Sequence, residues 1–224
     1  MDLRSRLEQV QARIANAAAR AGRRPEDITL VAVTKVFPAP VIRDAYELGL
    51  RDFGENYLQE FEGKYPQVQD LPEARFHLIG HLQSNKAKRA AELFHTIQTV
   101  DTEKLARRLD AVNKPLEVML EVKLSSEEAK SGVDPSELSA LIAAVKSCPN
   151  LSLRGLMTMP PWSDDPEVSR PYFRRLRELA AEHGLSQLSM GMSHDLEAAI
   201  EEGATHVRVG TALFGRRKVK KPGD

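Results

Sequence analysis

Ile28-Thr29-Leu30-Val31-Ala32-Val33-Thr34-Lys35 is an apolar run that ends in a lysine, and Val36-Phe37-Pro38 follows it. A short apolar run bounded by a proline is typical of a buried strand, here at 28–35, which would carry the Lys35 amine at its C-terminal end. Removing an ammonium group from water is costly. Lys35 therefore indicates either a side chain that reaches back to solvent or a neutral amine that attacks a carbonyl to form a Schiff base.

Length and composition limit the classes of protein. A chain of 224 residues fits one domain, and α/β barrels often have this size. Lysine plus arginine equals aspartate plus glutamate, 32 each, so net charge gives no reason to expect nucleic acid or an anionic membrane as a partner. The single cysteine, the charged N-terminal segment and the lack of a long apolar run predict a cytoplasmic protein without a membrane span.

Strand-like and helix-like segments alternate along the chain. After a leading helix at 3–21, eight strands are predicted near 28–35, 50–54, 75–80, 95–100, 116–122, 151–159, 185–190 and 206–210. Between them, helices are predicted near 39–49, 56–64, 83–93, 134–147, 167–183 and 195–202, with another that Asp101 would cap. The sequence Asp134-Pro135-Ser136-Glu137 has the N-cap, N1 proline and N3 acid of a helix start.

Eight alternating strands favour a single-domain (β/α)8 barrel of the TIM type with an extra N-terminal helix. An open doubly wound sheet would show a similar alternation, so the number of strands is the argument for closure. Residues 1–217 are expected to form the barrel. Residues 218–224 are basic and rich in proline and glycine, and they are expected to be a disordered tail.

The active site of such a barrel lies at the C-terminal ends of the strands, where this chain carries polar residues and glycines. Ser193 is predicted to cap the helix after the seventh strand, which would direct backbone N–H groups and the helix dipole towards a phosphate. Gly210, followed by Thr211, would allow close backbone approach to it. An ordinary cap and an ordinary turn remain the alternatives.

Arg208 is predicted to point into the barrel, because Val207 and Val209 on either side of it would face the helices. A guanidinium group inside the barrel needs an acceptor. That acceptor would be either a carboxylate of a neighbouring strand or an atom of a bound heterocycle.

Five strings of residues resemble one known family. They are Phe53-Gly54-Glu55-Asn56-Tyr57, His77-Leu78-Ile79-Gly80-His81-Leu82-Gln83-Ser84-Asn85-Lys86, Leu153-Arg154-Gly155-Leu156-Met157, Met190-Gly191-Met192-Ser193 and Val207-Arg208-Val209-Gly210-Thr211-Ala212-Leu213-Phe214-Gly215. The chain resembles the pyridoxal phosphate homeostasis proteins from about Leu7 to Lys218. These are single-domain proteins similar to the N-terminal barrel of alanine racemase.

The resemblance implies that pyridoxal 5′-phosphate (PLP) is bound covalently by Lys35, with Arg208 facing its pyridine nitrogen. A cation at that nitrogen disfavours ring protonation and weakens the ring as an electron sink. The cofactor-binding residues implied are Lys35, Asn56, Met157, Ser193, Arg208, Gly210 and Thr211. Thr34-Lys35-Val36 departs from the family's usual Ser-Lys-Thr, and Lys123 stands where asparagine is common.

The function that follows is non-catalytic binding of PLP, for buffering or for delivery to PLP-dependent apoenzymes. Alanine racemases use a tyrosine base from a second domain, which this chain would lack. The protein is expected to be a monomer rather than a dimer. The alternatives are a PLP-dependent racemase or lyase acting on a small amino acid, and an aldolase that uses Lys35 without a cofactor.

Other polar residues receive weaker predictions. His77 and His81 lie where strand changes to loop, and no further ligand has suitable spacing, so no metal site is expected. Glu55 is predicted to interact with a helix dipole rather than to act as a base. Trp162, in a proline-rich loop, is either part of a lid or simply exposed.

Overall fold

The computed structural model describes residues 1–125 and 131–215. The strands are β1 (Thr29–Val33), β2 (Asp52–Glu55), β3 (Arg75–Leu78), β4 (Thr96–Val100), β5 (Leu116–Glu121), β6 (Leu151–Met157), β7 (Gln187–Met192) and β8 (His206–Val209). The α-helices are α1 (Leu3–Arg20), α2 (Ala39–Glu47), α3 (Leu58–Lys64), α4 (Ala87–Leu93), α5 (Glu103–Asp110), α6 (Leu138–Lys146), α7 (Arg170–Glu182), α8 (Leu196–Glu201) and α9 (Thr211–Phe214).

The eight strands form a closed barrel in chain order, and every pairing is parallel. Closure occurs between the first and last strands, where Thr29 of β1 is in register with His206 of β8. The prediction of a (β/α)8 barrel with a leading helix is confirmed, and an open doubly wound sheet is excluded. The strands predicted near 50–54 and 95–100 are both present, as β2 and β4.

The leading helix α1 packs on the outside of the barrel. It buries Leu7, Val10 and Ile14 at helical spacing. Arg13 of α1 donates through Nε to Glu197 Oε1 (2.6 Å) and through a terminal nitrogen to the Ser193 carbonyl oxygen (3.0 Å). The helix therefore supports the loop that follows β7 at the mouth of the barrel.

Alternation along each strand separates an apolar outer layer from a more polar interior. On β5, Leu116, Val118 and Leu120 belong to the apolar core between strands and helices. Glu117 and Glu121 alternate with them and therefore face the barrel interior. The outer layer holds the helices on the barrel, and the interior is available for polar contacts and for a site.

Two helix starts differ from the prediction. Thr102, rather than Asp101, caps α5 by accepting from the Leu105 N–H (3.3 Å), and the Asp101 carboxylate lies 3.7 Å from His81 Nδ1. Asp134 accepts from the Ser136 N–H (3.0 Å) in a turn, and α6 begins only at Leu138. Both local motifs form, but each is part of a loop rather than of the first helical turn.

The region after β7 also differs. The strand continues to Met192, and α8 begins at Leu196, so Ser193 is not the N-cap that the sequence predicted. Instead, Asp195 Oδ1 accepts from the Met192 N–H (2.7 Å). The chain turns at Gly191, which has φ +88 and would bring a Cβ against Ala199. This conformation requires glycine.

Helix α9 directly follows β8 and was not predicted. It has only four residues, too few to show a helical hydrophobic period. The predicted domain end at residue 217 and the tail at 218–224 lie outside the described residues. Within the two described segments, no helix combines the length and apolar character needed to cross a membrane. Cys148 is buried.

Gly155→Ala is expected to destabilise the barrel by about 1–3 kcal/mol, because a Cβ there would overlap the Gln187 carbonyl oxygen on the neighbouring strand. Gly63→Ala is the matched control, since a Cβ on that helical residue meets nothing within 4 Å. Urea unfolding of the two variants measures the difference. Equal stability of both would show that β6 and β7 do not approach as closely as described.

Candidate functional site

A cavity of about 300 Å³ opens at the C-terminal ends of the strands, where the sequence predicted the site. Its lining residues are Val33, Lys35, Phe37, Asn56, Ile79, Met159, Trp162, Met192, Ser193, His194, Arg208, Gly210, Thr211 and Gly215. Six of the seven predicted site residues are in this set. The exception, Met157, is fully buried at the end of β6.

Lys35 lies just beyond β1 and is partly buried. The residue after it, Val36, has φ +62, an uncommon conformation for a β-branched residue. The Val36 N–H donates to Glu60 Oε1 (2.5 Å), which holds this strained turn against α3. Such strain persists only where surrounding contacts impose it, so the direction of the Lys35 side chain is set by the fold.

A buried ion pair lies beneath this turn. Glu55, at the end of β2, is fully buried and accepts from Thr34 Oγ1 (2.6 Å) and from Lys64 Nζ (2.9 Å). Lys64 Nζ also donates to the Thr34 carbonyl oxygen (3.0 Å) and pairs with Glu60 (2.5 Å). Burial raises the pKa of Glu55, and Lys64 opposes that rise. The predicted interaction of Glu55 with a helix dipole is therefore wrong, because its carboxylate binds Lys64 and Thr34.

Lys64→Met is expected to cost about 3–5 kcal/mol of unfolding free energy, because it leaves the Glu55 carboxylate buried without its cation. The loss should be larger at pH 8 than at pH 5. The reason is that a buried carboxyl with a raised pKa destabilises the native state only once it is ionised. Urea unfolding at both pH values measures this.

Lys88→Met, at an exposed position of α4, is the control for loss of a lysine. The double variant Glu55→Gln, Lys64→Met should recover much of the stability, because it removes both charges. A double variant no more stable than Lys64→Met alone would contradict the ion-pair explanation.

Arg208 points into the barrel, as predicted, and only 3% of it is exposed. It donates to Ser189 Oγ (2.7 Å) and to the Thr158 carbonyl oxygen (2.9 Å), so these direct acceptors are neutral. Burial lowers the pKa of Arg208 to about 10, with Asp195 and Glu121 opposing the shift. The guanidinium group is therefore charged at neutral pH, and it lines the cavity.

A chain of hydrogen bonds continues from Arg208 across the barrel interior. Ser189 Oγ donates to Gln98 Oε1 (2.6 Å), and Gln98 Nε2 lies 3.2 Å from His77 Nδ1. His77 Nε2 lies 2.8 Å from Asp52 Oδ1, at the opposite end of the barrel. If Gln98 donates to Nδ1, the ring proton of His77 is on Nε2 and points to Asp52. Burial alone would raise the pKa of Asp52, but the hydrogen bond and charge of His77 outweigh it, and the pKa is lowered.

Gln98→Leu should interrupt this chain and leave Ser189 and His77 each without one partner. The expected cost is about 1–3 kcal/mol for each unsatisfied buried group. Gln11→Leu, on the exposed side of α1, is the control. Urea unfolding should separate the two variants clearly, and an equally small effect of both would show that the chain of hydrogen bonds is not formed.

The opposite side of the cavity is formed by the loops after β7 and β8. Ser193 Oγ accepts from the backbone N–H groups of Gly210 (3.3 Å) and Ala212 (3.2 Å). These donors and the Ser193 hydroxyl therefore meet at one point of the cavity wall, although Ser193 does not cap a helix. Backbone N–H groups and a hydroxyl are suitable donors to a phosphate.

Asn56 follows β2, and its side-chain Oδ1 is buried without a hydrogen-bond partner among the described residues. A buried acceptor without a donor is costly in a folded protein. Because Asn56 lines the cavity, a ligand that brings a donor or an ordered water would satisfy it. The residues present thus include an amine, a buried cation, a group of anion donors and an unpaired acceptor.

Several lining residues were not recognised from the sequence. His194 had been given no role, yet its ring lies 5.1 Å from that of Trp162 at the mouth of the cavity, and its Nε2 lies 2.8 Å from the Asp164 carbonyl oxygen. Trp162 itself is 71% exposed. Phe37 and Ile79 contribute apolar walls. Apolar residues at strand ends have the same sequence pattern whether they line a cavity or a packed core. Among the described residues, no three potential metal ligands converge.

Comparison with known proteins defines the class to which this barrel belongs. Residues 5–218 match the family model described as "Alanine racemase, N-terminal domain". The barrel is also similar to that of alanine racemase from Corynebacterium glutamicum, with a TM-score of 0.69 and 20% identity over 99% of this chain and 64% of that one. At that identity, the likeness shows the fold alone.

Closer relatives define the family. The chain is 50% identical to the pyridoxal phosphate homeostasis protein of Pseudomonas aeruginosa, over 96% of both proteins, and 42% identical to that of Escherichia coli K12, over 98% of this chain and 99% of the other. The solved structure of PipY from Synechococcus elongatus with PLP bound has a TM-score of 0.80 and 40% identity, and covers 90% of this chain and all of PipY. This chain belongs to the family of pyridoxal phosphate homeostasis proteins, as its sequence motifs predicted.

Proposed function

We propose that the protein binds PLP through Lys35 and takes part in the buffering or delivery of PLP in the cell, and hence in amino-acid and keto-acid balance. The observation that carries this proposal is the shared cavity. Lys35, Arg208 and the unpaired Oδ1 of Asn56 line the same space as the donor group around Ser193. The names of the curated relatives and the PLP-bound structure of PipY support the choice of ligand.

Each residue has a distinct part in this proposal. PLP, when bound, supplies an aldehyde that condenses with a primary amine, and Lys35 is the amine. Ser193, Gly210 and Thr211 hold the phosphate, with backbone and hydroxyl donors. Asn56 lies beside the ring. Met157 closes the barrel interior rather than lining the cavity, and so would support the site through packing.

We also propose that the protein is not an enzyme. Arg208, facing the pyridine nitrogen, remains charged at neutral pH because its pKa is about 10. A cation in that position opposes protonation of the ring, and without a ring proton the cofactor is a poor sink for electrons from an amino-acid carbon. The position of Arg208 thus supports binding rather than carbanion chemistry.

Transfer of PLP to an apoenzyme would require an accessible mouth, and a monomer in the cytoplasm is the simplest form for it. Val36, Tyr57 and Trp162 are exposed in the single chain and lie around this end of the barrel. They leave the mouth open to another protein. The one cysteine, which is buried, is in keeping with a reducing compartment.

Lys35→Ala is expected to abolish both the yellow absorption of the PLP-loaded protein and the pyridoxyl label left after borohydride reduction. The reason is that no other amine is placed to replace Lys35 in the proposed pocket. Peptide mass mapping of reduced protein locates the label. Lys86→Ala, which removes a lysine near the mouth but outside this cavity, is the control and should still be labelled at Lys35. Labelling at a different lysine in the unaltered protein would refute the proposal.

A racemase or lyase would exchange the α-hydrogen of its amino-acid substrate with solvent. Incubating PLP-loaded protein with amino acids in deuterated water, followed by mass spectrometry, tests this directly. We expect no exchange above that of free PLP. Rapid exchange with one amino acid, lost in Lys35→Ala, would replace the binding function with an enzymatic one.

A further inference from the structure

A second cavity, of about 610 Å³, lies beside the first. The two share Met159, Trp162 and Met192, so these three side chains form the wall between them or the rim common to both. The other described residues that line the second cavity are His81, Glu121, Val122, Lys123, Leu124, Ser125, Ser131 and Pro160. Neither the family match nor the relatives' names assign a ligand to this space.

The second cavity contains a carboxyl group that lacks a partner. Glu121 is at the C-terminal end of β5, faces the barrel interior and is only 3% exposed. Its Oε2 atom has no hydrogen-bond partner among the described residues. Burial raises the pKa of Glu121 to about 7, the carboxylate of Asp101 adds to the rise, and Arg208 opposes it. Keeping such a group costs stability, which suggests that a ligand uses it.

The distribution of unpaired atoms strengthens this argument. In the described part of the chain, three buried side-chain oxygens lack a partner, and they belong to Asn56, Glu121 and Ser125. Asn56 lines the first cavity, and the other two line the second. The unpaired acceptor of the first cavity lies where PLP is proposed to bind. By the same reasoning, those of the second cavity mark the place of another polar ligand.

We propose that the second cavity binds a small primary amine, with its ammonium group held by the Glu121 carboxylate. An ammonium group has three donors and no acceptor, so it can satisfy both Glu121 Oε2 and Ser125 Oγ. The apolar part of the ligand would contact Met159 and Met192, and the face of Trp162 is also favourable to a nearby cation. A metal ion is a poorer fit, because a single carboxylate is not a sufficient set of ligands.

Binding should depend on pH through Glu121. The charged groups that face it are Asp101 beyond β4 and Arg208 on β8, while His81 and Lys123 lie elsewhere on the cavity wall. An amine is protonated up to about pH 10, so the carboxylate is the group that changes near neutrality. The affinity should rise from pH 6 to pH 8 as Glu121 ionises, and then become constant.

The position of this amine cavity has a consequence that rests on the proposed function. A molecule held by Glu121 would lie next to PLP, across the shared side chains Met159 and Met192. The cavity would then place a primary amine, the group that competes with Lys35 for an aldehyde, beside the bound cofactor. Non-covalent binding of the amine does not itself depend on PLP, so the two proposals can fail separately.

The test uses the full-length, PLP-free protein and n-butylamine as the probe. Isothermal titration calorimetry at pH 8 should show saturable binding of n-butylamine, and much weaker binding of 1-butanol and butyrate, which lack the cation. Glu121→Gln should weaken the binding of n-butylamine at least tenfold. Glu8→Gln, the same change on the exposed face of α1, is the control and should bind like the unaltered protein.

The thermal stability of Glu121→Gln distinguishes loss of a ligand contact from misfolding. The raised pKa means that the ionised carboxyl disfavours the native state above about pH 7, so the neutral amide should raise the melting temperature at pH 8 and have less effect at pH 5. A more stable variant that binds the amine poorly is the expected combination.

Three results would overturn the proposal. They are the absence of saturable n-butylamine binding, equal affinity of Glu121→Gln and Glu8→Gln for the amine, and binding of 1-butanol as tight as that of the amine. Lys35→Ala separates this inference from the proposed function. It should lose PLP and still bind n-butylamine, so a failure of amine binding alone leaves the role of Lys35 in place.

Discussion

The burial of the Arg208 guanidinium group inside a closed barrel is the constraint on which the site depends. A charge in that environment is tolerated only if its donors are satisfied. Ser189 and the Thr158 carbonyl accept from it, and the hydrogen bonds through Gln98 continue from Ser189 to the far end of the barrel. The interior is consequently a polar scaffold with one charged group at its mouth, and the apolar packing that holds the fold together is between strands and helices.

Barrel closure brings together the two sides of the site. β1 and β8 come from opposite ends of the chain, but they pair directly, and Lys35 follows one while Gly210 follows the other. On one side the strained turn at Val36 is held by Glu60, above the buried pair of Glu55 and Lys64. On the other side the backbone donors meet at Ser193. An amine and an anion-binding group are thereby held at a fixed separation, which suits a ligand with an aldehyde at one end and a phosphate at the other.

The polar groups of the mouth fall into two kinds. Those that position the backbone, such as Glu55 and Asp195, are fully paired within the protein. Those that face the two cavities, such as Asn56 and Glu121, have oxygens left unpaired among the described residues. Because an unpaired buried acceptor costs free energy, the second kind is retained at the expense of stability. This contrast separates residues that build the site from residues that contact what it binds.

The sequence by itself determined the order of strands and helices, the placement of Lys35 at a strand end and the inward direction of Arg208, because all of these depend on hydrophobic periodicity over a few residues. Its motifs also identified the family. Only the tertiary structure decided that Ser193 accepts from Gly210 instead of capping α8, that Glu55 pairs with Lys64, and that Glu121 is left facing a cavity. Ser189 and Gln98 are 91 residues apart, and their contact exists only because the barrel closes. Polar partners of this kind are chosen by three-dimensional proximity, which local sequence patterns do not encode.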